Sequence, residues 1–459
     1  MVQFDEKVYG SSMKRLEALF DAGTFVELGA YTKRADSETD YESVVCGYGA
    51  VGGRLVFAFA QDSSRTCGAF GEGHAKKIAD TYALAIKNGA PIVGVFDSLG
   101  ASVYEASSAC AAYGKLMKCI SRASGIIPQI AVIGGVCGGS AAVAASMFDF
   151  CVTVKGQSEL FVNAPFVLGG ANAAEGFSAA SGACCAEAED EAQAFAYVSS
   201  LLSLLPQNNA DSCVEPTADD LNRLLSLDPE QYTAEALAAA LVDNSSFIRI
   251  YEAYSKGALV GFGRIGGVSA GLVISDPSAD GVLDIPTCRA ISRLVSFCDS
   301  FHIPVVTLVD SVGVAVCAET ERAAYAAELA SLAMAYGTSE CAKVSAVIGK
   351  AYGAAFALLG SKALGADMAF ALPSACIGVL SPEACVAFVQ NDQVGEKSRE
   401  ELEAEWRETC ASSKLAADRG DVDDVIAPAE LRRRICAALS MLTCKADGEP
   451  VRRHAVQPL

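Results

Sequence analysis

Val132-Ile133-Gly134-Gly135-Val136-Cys137-Gly138-Gly139-Ser140-Ala141-Ala142 passes from β-branched apolar residues through glycines into alanines, and Val347-Ile348-Gly349-Lys350-Ala351-Tyr352-Gly353-Ala354-Ala355-Phe356 repeats that course later in the chain. Each stretch predicts a buried strand, a glycine turn and a helix. Two further pairs keep the same order. Gly47-Tyr48-Gly49-Ala50-Val51-Gly52-Gly53 returns as Gly261-Phe262-Gly263-Arg264-Ile265-Gly266-Gly267, and Pro91-Ile92-Val93 with Asp97-Ser98 and Gly100 returns as Pro304-Val305-Val306 with Asp310-Ser311 and Gly313. Matching Gly134 to Gly349 and Gly138 to Gly353 gives offsets of 214, 213 and 215 along the chain. Offsets this uniform mark an internal duplication.

Around these anchors each copy reads as a glycine hairpin with paired strands (Leu55 to Phe59; Gly271 to Ile274), then a helix (Ala75 to Lys87; Arg289 to Phe301). An apolar strand after proline, a helix, another apolar strand, the glycine turn and an Ala-rich helix follow. Strands alternating with helices predict an α/β fold of parallel βαβ units with right-handed crossovers. The 459 residues exceed the roughly 250 to 300 that one core organises, which also calls for two domains. The polar stretch Pro206 to Ser246 reads as a linker with short helices such as Ala218 to Leu225, placing the domains at 1–225 and 226–459.

The duplication removes two tempting motifs. Gly47-x-Gly49-x-x-Gly52 matches a dinucleotide fingerprint, but strand-like Arg54 to Phe59 follows it instead of a helix. Gly267-x-Ser269-x-Gly271 matches a nucleophile elbow, yet its counterpart Gly53 to Phe57 has no serine. Both are hairpin signals. The uncharged run Ser124 to Phe148 is long enough to span a bilayer, but Pro128, Gln129 and the glycines Gly134, Gly135, Gly138 and Gly139 break it into strand, turn and helix, so no membrane span is expected.

Composition narrows the partners. With 35 Lys plus Arg against 55 Asp plus Glu, the net charge is −20, which argues against nucleic acid as the main ligand. The 18 Cys form no C-x-x-C and read as buried thiols of a reduced, cytoplasmic setting. Only three His are present, so no metal site is expected and His-based acid–base chemistry is limited. Met1 to Tyr9 lacks the apolar core of a secretory signal.

A glycine turn that opens a helix leaves backbone N–H groups pointing outward with the helix dipole behind them. Two such donors aimed at a carbonyl that becomes an enolate form an oxyanion hole, each supplying roughly 3 kcal/mol. Close helix–strand packing also selects Gly and Ala there. Both readings stand for these turns, and their recurrence in two copies raises the case for paired carbonyl sites.

Motifs along nearly the whole chain resemble the carboxyltransferase subunit of biotin-dependent acyl-CoA carboxylases and the similar subunit of methylmalonyl-CoA decarboxylase. They include Arg15-Leu16-x-x-Leu19-Phe20-Asp21-x-Gly23-x-Phe25-Val26-Glu27, Gly73-His74-Ala75-x-Lys77-Ile78, Asp97-Ser98-x-Gly100-Ala101 and Lys350-Ala351-Tyr352-Gly353. Val422-Asp423-Asp424-Val425-Ile426-x-Pro428 and the closing Arg453-His454-Ala455-x-x-Pro458-Leu459 complete the set. The resemblance implies two tandem crotonase/ClpP-like domains, acyl-CoA on the N-terminal side and biotin on the C-terminal side. By it, Gly139 and Ser140 would hold the enolate oxygen of the acyl thioester, and Ala354 and Ala355 the ureido oxygen of biotin. Gly100, Ala101, Gly138, Tyr352 and Gly353 would contact the cofactors, coenzyme A and biotin. The implied partners are a biotin carboxyl carrier protein and a biotin carboxylase or membrane decarboxylase subunit, around a homo-oligomer that is usually a hexamer. No biotin-accepting Met-Lys-Met occurs in the chain, so the carrier is expected on another.

Departures from the family accompany these motifs. Leu99, Ser102 and Val312 replace a glycine, an arginine and a proline, the segment Phe166 to Ala180 after Pro165 is shortened, and Cys185 stands for a His. Two alternatives follow: a catalytically impaired subunit that keeps the fold, and a crotonase-type hydratase or hydrolase using Glu105 or His74.

Overall fold

The computed structural model describes residues 10–34, 41–225 and 232–445; the closing Arg453 to Leu459 motif lies outside them. Two compact units emerge, Met1–Ser212 and Cys213–Leu459. In the first, the strands are β1 (Val26–Leu28), β2 (Val44–Val51), β3 (Arg54–Gln61), β4 (Ile92–Ser98), β5 (Gln129–Gly138), β6 (Phe150–Val154), β7 (Glu159–Phe161) and β8 (Ala186–Ala188). They form one sheet in the order β1-β2-β3-β4-β5-β6-β8, with β7 beside the far end of β5. The second unit has β9 (Ile248–Ile250), β10 (Ala258–Ile265), β11 (Val268–Ser275), β12 (Val305–Ser311), β13 (Lys343–Tyr352), β14 (Met368–Ala371), β15 (Cys376–Gly378) and β16 (Asp424–Val425). Its order, β9-β10-β11-β12-β13-β14-β16 with β15 on β13, repeats the first.

The hairpins β2–β3 and β10–β11 are antiparallel, and from β3 and β11 onward the pairing is parallel. Every residue of β4 is buried, as expected of a parallel strand covered on both faces. Both hairpins turn on left-handed Gly-Gly pairs, Gly52-Gly53 and Gly266-Gly267. One carboxylate caps each pair: Asp21 accepts both N–H groups at 3.0 and 2.8 Å, and Asp243 does so at 2.9 and 2.7 Å. These turns are structural, and Ser269 of the elbow-like motif is buried on β11.

The helix expected at Ala75 to Lys87 spans Glu72–Asn88 and ends on left-handed Gly89. Its counterpart, expected at Arg289 to Phe301, spans Ile285–Ser300, begun by Asp284 accepting the Thr287 N–H. The run Ser124 to Phe148 divides into β5 and the helix Ser140–Ser146, and among the described residues no helix is long and apolar enough to cross a membrane. Five thiols, Cys67, Cys110, Cys317, Cys410 and Cys444, are exposed and two, Cys119 and Cys213, are half-buried, so the expectation of buried cysteines holds for the other eleven.

The linker differs from its sequence reading. Residues 218–225 are not helical, because the Asp220 side chain takes the Asn222 N–H and Arg432 draws on the Asp220 carbonyl and the Asp219 carboxylate. Val214 bridges to Val268, and Leu225 enters the second unit's core. Residues 213–225 therefore pack with the second unit, and the compact units divide at Ser212 and not near residue 225.

Candidate active site

The two glycine turns have one backbone geometry. Gly139, after β5, has φ 57° and ψ −121°; Gly353, after β13, has φ 51° and ψ −118°. Both angles lie in the mirror image of the extended region, open to glycine and strained for any residue with a Cβ. The Gly139 N–H donates to the Phe161 carbonyl of β7, and the Gly353 N–H to the Gly378 carbonyl of β15, both at 2.9 Å. Each helix takes its first bond at the same point: Val143 N–H to the Gly139 carbonyl and Ala357 N–H to the Gly353 carbonyl, both 3.3 Å. Neither helix, Ser140–Ser146 or Ala354–Leu358, has a side-chain cap.

Two corrections to the sequence reading follow. In the sheets, Gly138 faces Phe161 as Tyr352 faces Gly378, so Gly139 corresponds to Gly353 and Gly135 to Gly349, 214 residues on. The offset of 215 was a one-residue slip. The Gly139 N–H is also spent on Phe161, so this residue shapes the turn and does not supply a donor. The first-turn N–H groups outside the helical ladder are those of Ser140, Ala141 and Ala142 in one unit and Ala354, Ala355 and Phe356 in the other. One aromatic ring serves each strand pair, from the short strand in Phe161 and from the long strand in Tyr352; a Cβ on Gly138 would lie 2.8 Å from the Phe161 ring.

An aspartate wedges each strand upstream of its turn. The parallel register slips between Phe96 and Ser98 on β4, and between Val309 and Ser311 on β12. A Cβ on Gly135 would lie 2.2 Å from Asp97 Oδ1, and one on Gly349 would lie 2.3 Å from Asp310 Oδ1. The partners of these aspartates differ. Buried Arg15 donates to Asp97 at 2.7 Å, to Glu191 at 2.8 Å and to the Gly134 carbonyl. Burial opposes the Arg15 charge while its two carboxylate partners raise the pKa above the usual value, and the balance is upward. Asp310 instead accepts the Tyr232 O–H at 2.9 Å and the Lys350 N–H at 2.7 Å.

The next turns also match. Ser98 Oγ donates to the Gly68 carbonyl at 2.6 Å and accepts the Gly100 N–H at 3.1 Å; Ser311 Oγ donates to the Gly281 carbonyl at 2.5 Å and accepts the Gly313 N–H at 3.1 Å. Leu99 and Val312, two departures from the family pattern, sit between these anchors without breaking them. Gly100 is half-buried and Ala101 exposed at this turn, bridged to Phe70.

A cleft of about 1080 Å³ in the second unit brings Tyr352, Gly353 and Ala354 together with Tyr232, Asp310, Lys350, Glu383 and Arg407. Ala355 is buried behind it. In the first unit a cleft of about 610 Å³ lies beyond Phe161, walled by the shortened segment through Pro165, Phe166 and Phe177; Gly139 and Ser140 do not line it.

The hydratase candidates are otherwise engaged. The Glu105 carboxylate accepts the Glu72 N–H at 2.7 Å and so caps the helix Glu72–Asn88. His74 is wholly buried against Phe70, 3.3 Å from the Gln61 amide, and burial lowers its pKa to about 3.

A duplicated α/β fold with the same helix-opening turn in each half is that of the crotonase-like enzymes, and solved relatives agree. The 12S core of transcarboxylase, solved as a hexamer with methylmalonyl-coenzyme A and methylmalonic acid bound, superposes with a TM-score of 0.91 at 30% identity, over 98% of this chain and 92% of that one. The carboxyl transferase domain profile matches residues 10–457. The methylmalonyl-CoA decarboxylase subunit alpha of Veillonella parvula is 36% identical, and the propionyl-CoA carboxylase carboxyltransferase subunit of Haloferax mediterranei 33%, each over 98% of this chain and 93% of the relative. The chain belongs to the carboxyl transferase family of biotin-dependent carboxylases and decarboxylases and is an enzyme subunit of that kind.

Proposed function

We propose that the protein moves a carboxyl group between biotin on a separate carrier protein and a short acyl-CoA, holding the two reacting carbonyl groups on backbone N–H donors. The matched geometry of Gly139 and Gly353 carries this reading, because two helix-opening turns with unspent donors suit a reaction with two enolate-like partners. The Ser140 and Ala141 N–H groups hold the acyl thioester oxygen, and the Ala354 and Ala355 N–H groups hold the ureido oxygen. The second unit's cleft fits a bicyclic urea, with a floor of small residues and hydrogen-bonding groups on its walls. When bound, biotin supplies the carboxyl-carrying nitrogen and the proton chemistry at it. The chain's own part is orientation and fixed dipoles, in keeping with the burial of His74 and the capping role of Glu105.

The acyl group belongs to the short class by analogy with the propionyl and methylmalonyl relatives. A hexamer, as in transcarboxylase 12S, is the proposed assembly, with a biotin carboxylase or a membrane decarboxylase subunit as its further partner. The test is direct: purified protein with carboxylated biotin carrier and acetyl-, propionyl- and crotonyl-CoA should give a carboxylated thioester by mass spectrometry. Absence of product from all three, and of exchange in reverse, would sink the proposal.

A further inference from the structure

The duplicated aspartates have diverged in a way that bears on the cleft. Asp97 is buried and neutralised by Arg15 at 2.7 Å. Asp310, at the same place in the second unit, is only partly buried, lines the cleft and receives neutral donors, the Tyr232 O–H and the Lys350 N–H. The Lys350 ammonium points away from it to Asp280 at 3.3 Å. With one hydrogen bond accepted on each oxygen, the Asp310 carboxylate has lone pairs left to accept. Tyr232 also lines the cleft, so the pair stands on the wall that Gly349, Gly353 and Ala354 continue.

A cyclic urea buried there presents one acceptor and an N–H on each side of it. Ala354 and Ala355 answer the acceptor; the donor that does not take up the carboxyl needs an acceptor of its own. Resting on the function proposed above, we infer that Asp310, oriented by Tyr232, accepts the ureido N–H of biotin and is a specificity-determining residue of this site. The bond is charge-assisted, so it is shorter and stronger than one to a neutral carbonyl. The equivalent Asp97 cannot serve in this way, because Arg15 and the strand backbone enclose it.

The single tryptophan, Trp406, packs against Tyr352, Cys376 and Ala411, so its fluorescence reports occupancy of the cleft without turnover. The experiment titrates free biotin, and biotin methylated on the ureido nitrogen that does not take the carboxyl, into wild type, Tyr232→Phe and Asp310→Asn. Expected are biotin affinities about tenfold weaker in both variants, the size of one hydrogen bond to a charged group, with methylation costing wild type about tenfold and Asp310→Asn nothing further. Unchanged affinity in both variants, equal loss on methylation in wild type and Asp310→Asn, or no response of wild type to biotin would each overturn the inference. Biotin binding with these differences but without carboxyl transfer would leave the inference standing and remove the proposed function. Conservative Tyr232→Phe keeps the ring, and unfolding curves of both variants separate lost recognition from lost fold.

Discussion

Gly139 and Gly353, 214 residues apart in sequence, share φ near +55° and ψ near −120° and donate equal 2.9 Å hydrogen bonds to the ends of β7 and β15. No Cβ clash enforces glycine at 139, where an added carbon would meet nothing within 4 Å. Backbone conformation does. Gly139→Ala should therefore destabilise the fold by about 1 to 3 kcal/mol and cut activity more than its stability loss explains, because relaxing φ swings the Ser140 N–H. Thermal unfolding and carboxyl-transfer assays on one preparation check this.

The biotin-side turn should respond separately. Ala354 is half-buried and lines the large cleft, so Ala354→Val narrows it where the ureido ring is proposed to sit. Turnover with the biotinylated carrier should fall at least about tenfold, while acyl-CoA binding by calorimetry stays unchanged. Loss of both together would mean that the substitution acts through the fold.

Hairpin caps give a stability prediction. Asp21→Ala removes one exposed carboxylate from two N–H groups and should cost about 1 to 2 kcal/mol. Asp243→Ala strips the same cap and one carboxylate from Arg432, which is fully buried, so it should cost about 3 to 5 kcal/mol. Urea denaturation of the two variants measures the difference; equal losses would contradict the buried-pair account.

Burial of neutral His74 makes stability depend on pH. Its folded pKa, about 3, lies below the 6.5 of an exposed histidine, so the unfolded chain binds the extra proton between those values. This contribution is fully present above pH 6.5 and falls by about 1.4 kcal/mol per unit as pH drops toward 3. His74→Gln should flatten that slope, and proton NMR should show the ring neutral at pH 5. A His74 resonance titrating near 6.5 would contradict the assignment.

Sequence periodicity carried the fold well, because strand, glycine turn and helix leave local signatures that recur in both halves. The register failed locally for a physical reason. Gly134-Gly135 and Gly138-Gly139 are doublets, so glycine matches glycine at either of two offsets, and only the strands β7 and β15, set against β5 and β13, decide between them. The residues that support the turns were hidden for a different reason. Arg15 reaches Asp97 across 82 positions and Tyr232 reaches Asp310 across 78, and no local pattern records such pairs. Glu105 looked like a candidate acid until the fold placed the helix N-terminus at Glu72 beside it.

Backbone donation at Ser140 is the central claim, and proline tests it cleanly. Ser140 opens its helix, where proline's fixed φ is accepted, and the mirror-image extended conformation of Gly139 suits a residue before proline. Ser140→Pro thus removes the N–H with little disturbance, whereas Ser140→Ala removes only the hydroxyl. Single-turnover transfer from carboxylated carrier to acyl-CoA should proceed in Ser140→Ala within about threefold of wild type and in Ser140→Pro about a hundredfold or more slower, the loss expected for one oxyanion donor. Equal loss in both variants would make the hydroxyl the working group and contradict the account.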